Sequence, residues 1–240
     1  MQTSRSPRAR QFAEQILCTC APFLPKQPDE LNVLDVGCGY GATSLALSER
    51  CRSVTGIDPS ATMISSALKA RDAAGCQGVD FQRAGVMDFR PHGVFDLIVL
   101  DNVFEHLPDQ RRALERIADW LASGGVCFLL TPNKLWPIEA HYRLPGLSYL
   151  PLAWANRYLR WSGRGTDYED CSYAPTYGGL KRLCHNLPGV TAEFALPANM
   201  SLTTRGNVLS YRLGAWLLRK CSGFWWVSKS LLVVLRKDPA

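Results

Sequence analysis

Residues 31–42 read LNVLDVGCGYGA, and no other segment constrains the architecture as much. Leu31 to Gly37 is an apolar run closed by glycine, the mark of a strand buried inside a parallel sheet. Gly37, Gly39 and Gly41 allow a tight turn and let the backbone come close to a ligand. Ala42 to Cys51 then reads as a helix whose first N–H groups can meet an anion. Asp58 stands 21 residues after Gly37, at the end of a second strand. A carboxylate there accepts hydrogen bonds from ribose hydroxyls. Gly37-x-Gly39-x-x-Ala42 also satisfies the dinucleotide pattern with its permitted alanine, so the loop alone leaves NAD open.

Outward from this stretch, strands and helices alternate. Strands are expected at 53–58, 79–85, 94–101 and 126–131. Helices are expected at Ser60–Ala74 and Pro108–Ala122, the second stopped by Gly124-Gly125. Phe12, Ile16, Leu17 and Cys20 form one stripe of a leading helix. Alternation of this kind implies an open parallel sheet with helices on both faces. Beyond residue 175, a helix to Asn186 and strands at 189–196 and 230–237 complete an α/β pattern.

The 240 residues suit one domain, with 47% hydrophobic and 20% charged residues, close to ordinary globular usage. The longest run without a charge, Trp120 to Asn133, is 14 residues and holds two glycines and a proline. That is short of a spanning helix. The basic start lacks an apolar core behind it, so no secretory signal is expected. Nine scattered cysteines read as reduced thiols, and no second pair sits at zinc spacing beside Cys18 and Cys20.

Three further features favour a different cofactor from NAD. Asp35 stands two residues before the first glycine, where a carboxylate can face an ammonium. Met87-Asp88 follows the third strand, where an acidic side chain can accept from an adenine amino group. The fourth strand ends in Asp101-Asn102-Val-Phe-Glu105-His106-Leu-Pro-Asp109, at the switch point where such a sheet places its chemistry. VLDVGCGYGATS, GIDPS, FDLIVLDNVFEHLPD and GGVCFLLTPN together resemble the successive motifs of the class I S-adenosylmethionine-dependent methyltransferases, over roughly residues 31–133.

The resemblance implies a Rossmann-like, doubly wound seven-stranded sheet with an antiparallel last strand. It implies S-adenosylmethionine as cofactor and S-adenosylhomocysteine as product. Gly37, Gly39 and Tyr40 would line the methionyl part with Asp35 close by. Asp58 would hold the ribose, Met87 and Asp88 the adenine, and Asp101 would lie near the methionyl group. The expected divisions are a leading helix at 1–30, a cofactor-binding core at 31–133, an insertion at 134–174 and a C-terminal part at 175–240.

The Glu-His-Leu-Pro-Asp end and the Thr-Pro-Asn after strand five are similar to the ubiquinone-biosynthesis O-methyltransferases, which also carry a membrane-touching insertion after strand five. Small-RNA 3′-end methyltransferases have Glu-x-x-Glu-His there and hold magnesium with it. This chain has Asn102 in place of the first carboxylate, which weakens a site for a hard cation. No metal is expected.

The second half is aromatic. All seven Trp lie from residue 120 onward, and nine Trp or Tyr fall between Trp136 and Tyr177. Trp154, Tyr158 and Trp161 share one helical face beside Arg157, Arg160 and Arg164. This is a helical, aromatic-rich insertion that either packs on the core or lies at a membrane interface. Val208 to Cys221 is apolar nearly all round, and expected to be buried or membrane-bound. Net charge is +6, and seven basic residues (Arg205, Arg212, Arg219, Lys220, Lys229, Arg236 and Lys237) occur between Glu193 and Asp238 with no acid among them. An anionic membrane or a nucleic acid would answer that charge.

The resulting expectation is a cytoplasmic methyltransferase, peripheral on the inner membrane face, acting on a hydrophobic or membrane-associated small molecule. O-methylation is preferred, with a His as base. His141 in the insertion and His106 after strand four are the candidates. Glu139 is placed to orient His141, and Tyr142 and Arg143 to shape the acceptor pocket. His92 and His185 read as a surface turn and a helix end. The alternatives are an RNA methyltransferase using the basic C-terminal part, or methylation of a polar metabolite or glycan. The sequence leaves oligomeric state open.

Overall fold

In a computed structural model, residues 6–198 and 208–239 are described. The leading helix is α1 (Pro7–Cys20). Then β1 (Asn32–Val36), α2 (Ala42–Ser48), β2 (Ser53–Asp58), α3 (Ala61–Ala74), β3 (Val79–Arg83), β4 (Phe95–Asp101), α4 (Gln110–Trp120) and β5 (Leu121–Pro132) alternate as the sequence requires. After the insertion, with its helix α5 (Leu152–Trp161), come α6 (Tyr177–His185), β6 (Val190–Phe194), α7 (Val208–Lys220) and β7 (Ser230–Lys237).

The seven strands order as β3-β2-β1-β4-β5-β7-β6. All neighbours from β3 to β5 are parallel, whereas β7 runs antiparallel to both β5 and β6. The order reverses between β1 and β4, so the carboxyl ends of these two strands frame the crevice in which such sheets bind ligands. The last strand is antiparallel, as the resemblance implied.

Side-chain alternation builds the layers. Val33, Val54, Leu97, Val99, Phe128 and Val234 face α1, α2 and α3. Leu34, Ile57, Ile98, Leu100, Leu129 and Val233 face α4 and α6. Phe12 meets Phe128 edge-on at 6.2 Å between ring centroids, which docks α1 on the sheet. Ser60 and Asp109 cap α3 and α4, their side chains accepting from the N–H of Met63 and Arg112.

Several boundaries depart from the sequence expectation. Helix α4 ends at Trp120 rather than Ala122, and Gly124-Gly125 lies within β5 rather than stopping the helix. The pairing with β4 shifts register there, between Phe95 and Leu97. A Cβ on Gly125 would sit 2.9 Å from the Ala122 carbonyl oxygen and 3.0 Å from that of Phe95. The glycine pair therefore serves a bulge. Helix α2 ends at Ser48, short of Cys51.

The insertion has its own small core of Leu144, Leu147, Ala155, Leu159, Tyr168 and Cys171. Ala155 and Leu159 supply the buried face of α5, while Trp154 and Trp161 are 63% and 84% exposed. The aromatic stripe thus faces outward, with Tyr158 partly packed. In α7 only Ala215 is buried among the described side chains, and Leu213 and Trp216 are exposed. Burial all round is not what this helix has. Of the basic residues counted above, Arg205 lies outside the described residues. Lys237 donates to the carbonyls of Ala118 and Leu121, so it ties β7 to the end of α4 rather than joining a free basic face. Among the described residues, no helix is long and apolar enough to cross a membrane.

Candidate active site

The glycine loop is drawn toward β2. The N–H groups of Gly37 and Cys38 both donate to the Ile57 carbonyl, at 2.8 and 3.0 Å. Gly37 has φ +69°, and a Cβ there would lie 2.3 Å from Cγ2 of Val103. Both the left-handed backbone and the close approach of the loop after β4 demand glycine. Asp58 accepts from the N–H of Gly39 at 3.1 Å and of Ser60 at 2.8 Å. It therefore pins the loop, with lone pairs to spare.

Asp35 is buried at the end of β1, and the Ser44 hydroxyl of α2 donates to it. Burial pushes its pKa up to about 6 despite that hydrogen bond, and the Asp58 charge adds to the rise. Asp101, at the end of β4, is pushed up to about 7 by burial and by the neighbouring charges of Asp35 and Glu105. Asn102 follows in the left-handed region at φ +52° and donates to Asp101 at 2.7 Å. A crevice with one buried and one half-buried carboxylate, neither in an ion pair among the described residues, suits a cationic ligand. Tyr40 is 61% exposed at its rim. Beyond β3, Met87 is half-buried and Asp88 exposed.

On the far side of Asp101, three separate segments converge. The 3-10 turn Phe104–His106 presents Glu105 and His106. The insertion presents Glu139 and His141, and the turn Glu169–Cys171 presents Cys171. The His106 and His141 rings meet edge-on, with centroids 5.3 Å apart. Glu139 holds His141 as the sequence reading anticipated. Its carboxylate faces Nδ1 of His141 at 2.9 Å and accepts the backbone N–H of His141 and of Tyr142 at 2.8 and 2.6 Å. Nδ1 of His106 faces the Asp170 carbonyl at 2.6 Å.

The Cys171 thiol lies against both imidazoles. That contact, then Glu139, pushes His141 up to about 10, and contact with Cys171 raises His106 as well. Burial alone would raise the Cys171 thiol, but the two imidazoles outweigh it and bring it down. A pKa of about 10 is not that of a free base poised near neutrality. Tyr142 donates to the Asp167 carbonyl, and Arg164 donates to the carbonyls of Tyr142 and Arg143. Tyr142 and Arg143 are thus tied into the insertion's own wall. Sequence reasoning missed Cys171 and Asp170. Cys171 had no distinguishing spacing among nine thiols, and only the fold brings it to His106, 65 residues earlier.

The sheet order, the switch-point glycine loop and the acid at the end of β2 define a nucleotide-cofactor-binding domain of the doubly wound class. The methyltransferase-domain family model matches residues 8–187. The chain belongs to this family, the class I S-adenosylmethionine-dependent methyltransferases. It is 32% identical over 136 residues to the ubiquinone biosynthesis O-methyltransferase of Bradyrhizobium sp. (strain ORS 278), covering 57% of this chain and 50% of that protein. It is 30% identical over 169 residues to the protein of the same name from Rhodopseudomonas palustris (strain BisB18), covering 70% and 62%. The chain thus spans about half to three-fifths of these relatives.

Among solved structures, the plantazolicin methyltransferase BpumL, in complex with a desmethylplantazolicin analogue and S-adenosylhomocysteine, superposes with a TM-score of 0.62. It is 18% identical and covers 98% of this chain and 86% of its own. YcgJ from Bacillus subtilis superposes at 0.60, with 16% identity and 97% and 99% coverage. At these identities the likeness is one of fold.

Proposed function

We propose that the protein transfers the methyl group of S-adenosylmethionine to an oxygen of a hydrophobic or membrane-associated small molecule. The observation that carries the acceptor class is the outward aromatic face of α5. Trp154 and Trp161 stand exposed beside Arg157, Arg160 and Arg164 on the same insertion that brings His141 to the crevice. Aromatic rings flanked by cations sit well at a lipid headgroup boundary. The partial similarity to ubiquinone biosynthesis O-methyltransferases supports an O-methyl acceptor.

In this reading Asp35 and Asp101 hold the cationic methionyl end, Asp58 the ribose, and Met87 and Asp88 the adenine. Gly37, Gly39 and Tyr40 line the cofactor. The reaction is an in-line displacement at a methyl already activated by its sulfonium, so alignment is the protein's main task. His106 and His141 receive the acceptor hydroxyl at their Nε2 atoms. Proton uptake at His141 requires the acceptor to replace Cys171 as partner, since the thiol is the main cause of its raised pKa.

The test uses S-adenosylmethionine with a labelled methyl group, whole-cell extract and partition of products between organic and aqueous phases. Label in the organic phase supports the reading. Label confined to the aqueous phase overturns the acceptor class, and ribonuclease sensitivity of that label would assign RNA instead. Co-sedimentation with anionic vesicles at low salt tests the membrane contact separately.

A further inference from the structure

Glu105 is fully buried, yet among the described residues its Oε1 has no hydrogen-bond partner. Its other oxygen accepts from the Thr131 hydroxyl at 3.1 Å. A buried carboxylate oxygen left without a partner is costly and calls for an explanation. Oε1 points at the two imidazoles, 3.8 Å from Nε2 of His141 and 4.0 Å from Nε2 of His106. Sγ of Cys171 completes the group. The Sγ and one nitrogen of each histidine lie within 4.8 Å of one another.

Each nitrogen and oxygen facing this centre is turned inward by a partner behind it. Nδ1 of His106 is occupied by the Asp170 carbonyl and Nδ1 of His141 by the Glu139 carboxylate. Once deprotonated by an incoming ion, both histidines can offer an Nε2 lone pair inward, since the Asp170 carbonyl and the Glu139 carboxylate accept at Nδ1. Thr131 does the same for Glu105. Four donors around a tetrahedral ion at bonds of roughly 2.0–2.3 Å lie about 3.3–3.8 Å apart. The spacing of Oε1 from the two Nε2 atoms is at or slightly beyond that range, whereas Sγ and the histidine nitrogens lie within 4.8 Å of one another, so the set must draw in by up to about 1 Å around an ion.

We propose that Glu105, His106, His141 and Cys171 form a binding site for one divalent ion of the zinc class. Two imidazoles and a thiolate exclude magnesium as the natural occupant, since hard cations take oxygen ligands. The site reverses the sequence expectation of no metal, which rested on cysteine spacing and on Asn102. His106 and His141 remain 37% and 30% exposed, which leaves an entry path. The ion would join three segments far apart in the chain and fix the insertion against the sheet.

The inference shares its residues with the reading above and deepens it. With the ion held by four protein donors, both Nε2 lone pairs and the tetrahedral positions are spent, so the ion would fix the insertion and take the two histidines out of the base role. The test is made on the full chain, stripped with chelator and titrated with Zn2+ against a chromophoric competitor, without any methyl acceptor. About one ion per chain is expected. Cys171→Ser and His106→Ala should each weaken binding about 100-fold or more, and Glu139→Gln about 10–100-fold through loss of its hold on His141. The Co2+ form should show a sulfur-to-metal charge-transfer band that Cys171→Ser abolishes and Glu139→Gln keeps. Circular dichroism confirms folding, and the half-exposed His106 guards against a Cys171 variant that fails to fold. No zinc uptake at micromolar ion, or wild-type uptake by both ligand variants, overturns the proposal. A chain that methylates but binds no ion sinks this inference alone. One that binds the ion but methylates nothing sinks the proposed activity alone.

Discussion

Replacing Asp35 by asparagine should stabilise the ligand-free protein while weakening its hold on the cofactor. Asp35 is fully buried, and burial raises its pKa from 3.8 to about 6. A rise of about two units penalises the charged form by about 3 kcal/mol. The folded pKa lies above the unfolded one, so folding takes up a proton. The favourable state is fully present below 3.8 and lost as pH rises through about 6. The asparagine side chain carries no charge to penalise, but its amide N–H groups lack the partner that the carboxylate has in Ser44, which costs about 1–2 kcal/mol. The net gain at about pH 7.5 is about 1–2 kcal/mol, or about 2–8 °C in melting temperature for a domain of this size. The same linkage halves the penalty of about 3 kcal/mol at about pH 5 and removes most of it below about pH 4. Thermal unfolding at several pH values reads this directly, and calorimetric titration with S-adenosylhomocysteine reads the affinity. The expected affinity loss is about 10–100-fold, one charge-assisted contact. If Asp35→Asn melts no higher than wild type at neutral pH and above, or its advantage does not shrink toward acid, burial is not what raises Asp35. If affinity is unchanged, the carboxylate does not face the cofactor's cation.

Three further outcomes follow from packing. Gly37→Ala should cost about 1–2 kcal/mol for its left-handed backbone alone. The 2.3 Å approach to Val103 adds to that. Val103→Ala should relieve the steric part only, as paired denaturation curves would show. Leu159→Ala removes a fully buried side chain from the insertion's small core. It should cost about 2–5 kcal/mol and raise hydrogen exchange first across 142–171. Trp154→Ala with Trp161→Ala should leave stability within about 0.5 kcal/mol, since both rings are exposed. The same pair should lower partition onto anionic vesicles about tenfold. Unchanged partition would remove the membrane role of that face.

The cofactor half of the molecule was legible because local rules decide it. Short apolar runs marked each parallel strand, and β2 and β7 begin and end where the pattern does. Gly37 and Gly39 take the positive φ that the turn demands and that glycine adopts without cost. The acceptor half resisted for a physical reason. His106, His141 and Cys171 are 35 and 30 residues apart in sequence, and nothing in residue type or spacing reports that three loops meet. The α5 stripe left two readings open for a different reason. Trp, Tyr and Trp at helical spacing look like a core face, yet the smaller Ala155 and Leu159 do the packing. Gly124-Gly125 read as a helix stop because a bulge and a C-cap use the same residue.

The buried carboxylates suggest how the reaction would drive its own product release. Methyl transfer turns a sulfonium into a neutral thioether, so a carboxylate facing the sulfur loses its partner at the moment of product formation. Asp101 is pushed up to about 7, first by burial and then by Asp35 and Glu105. Above that pH it is charged and favours the substrate form of the cofactor; below it the preference fades. S-adenosylmethionine should therefore bind more tightly than S-adenosylhomocysteine at about pH 8, by about tenfold for one such contact. The ratio should fall toward one as the pH drops about a unit below that pKa, and lose its pH dependence in Asp101→Asn. Parallel calorimetric titrations with both ligands measure it. A ratio that is flat across neutrality in the wild type would place Asp101 away from the sulfur. The release of product would then have to come from the insertion rather than from charge.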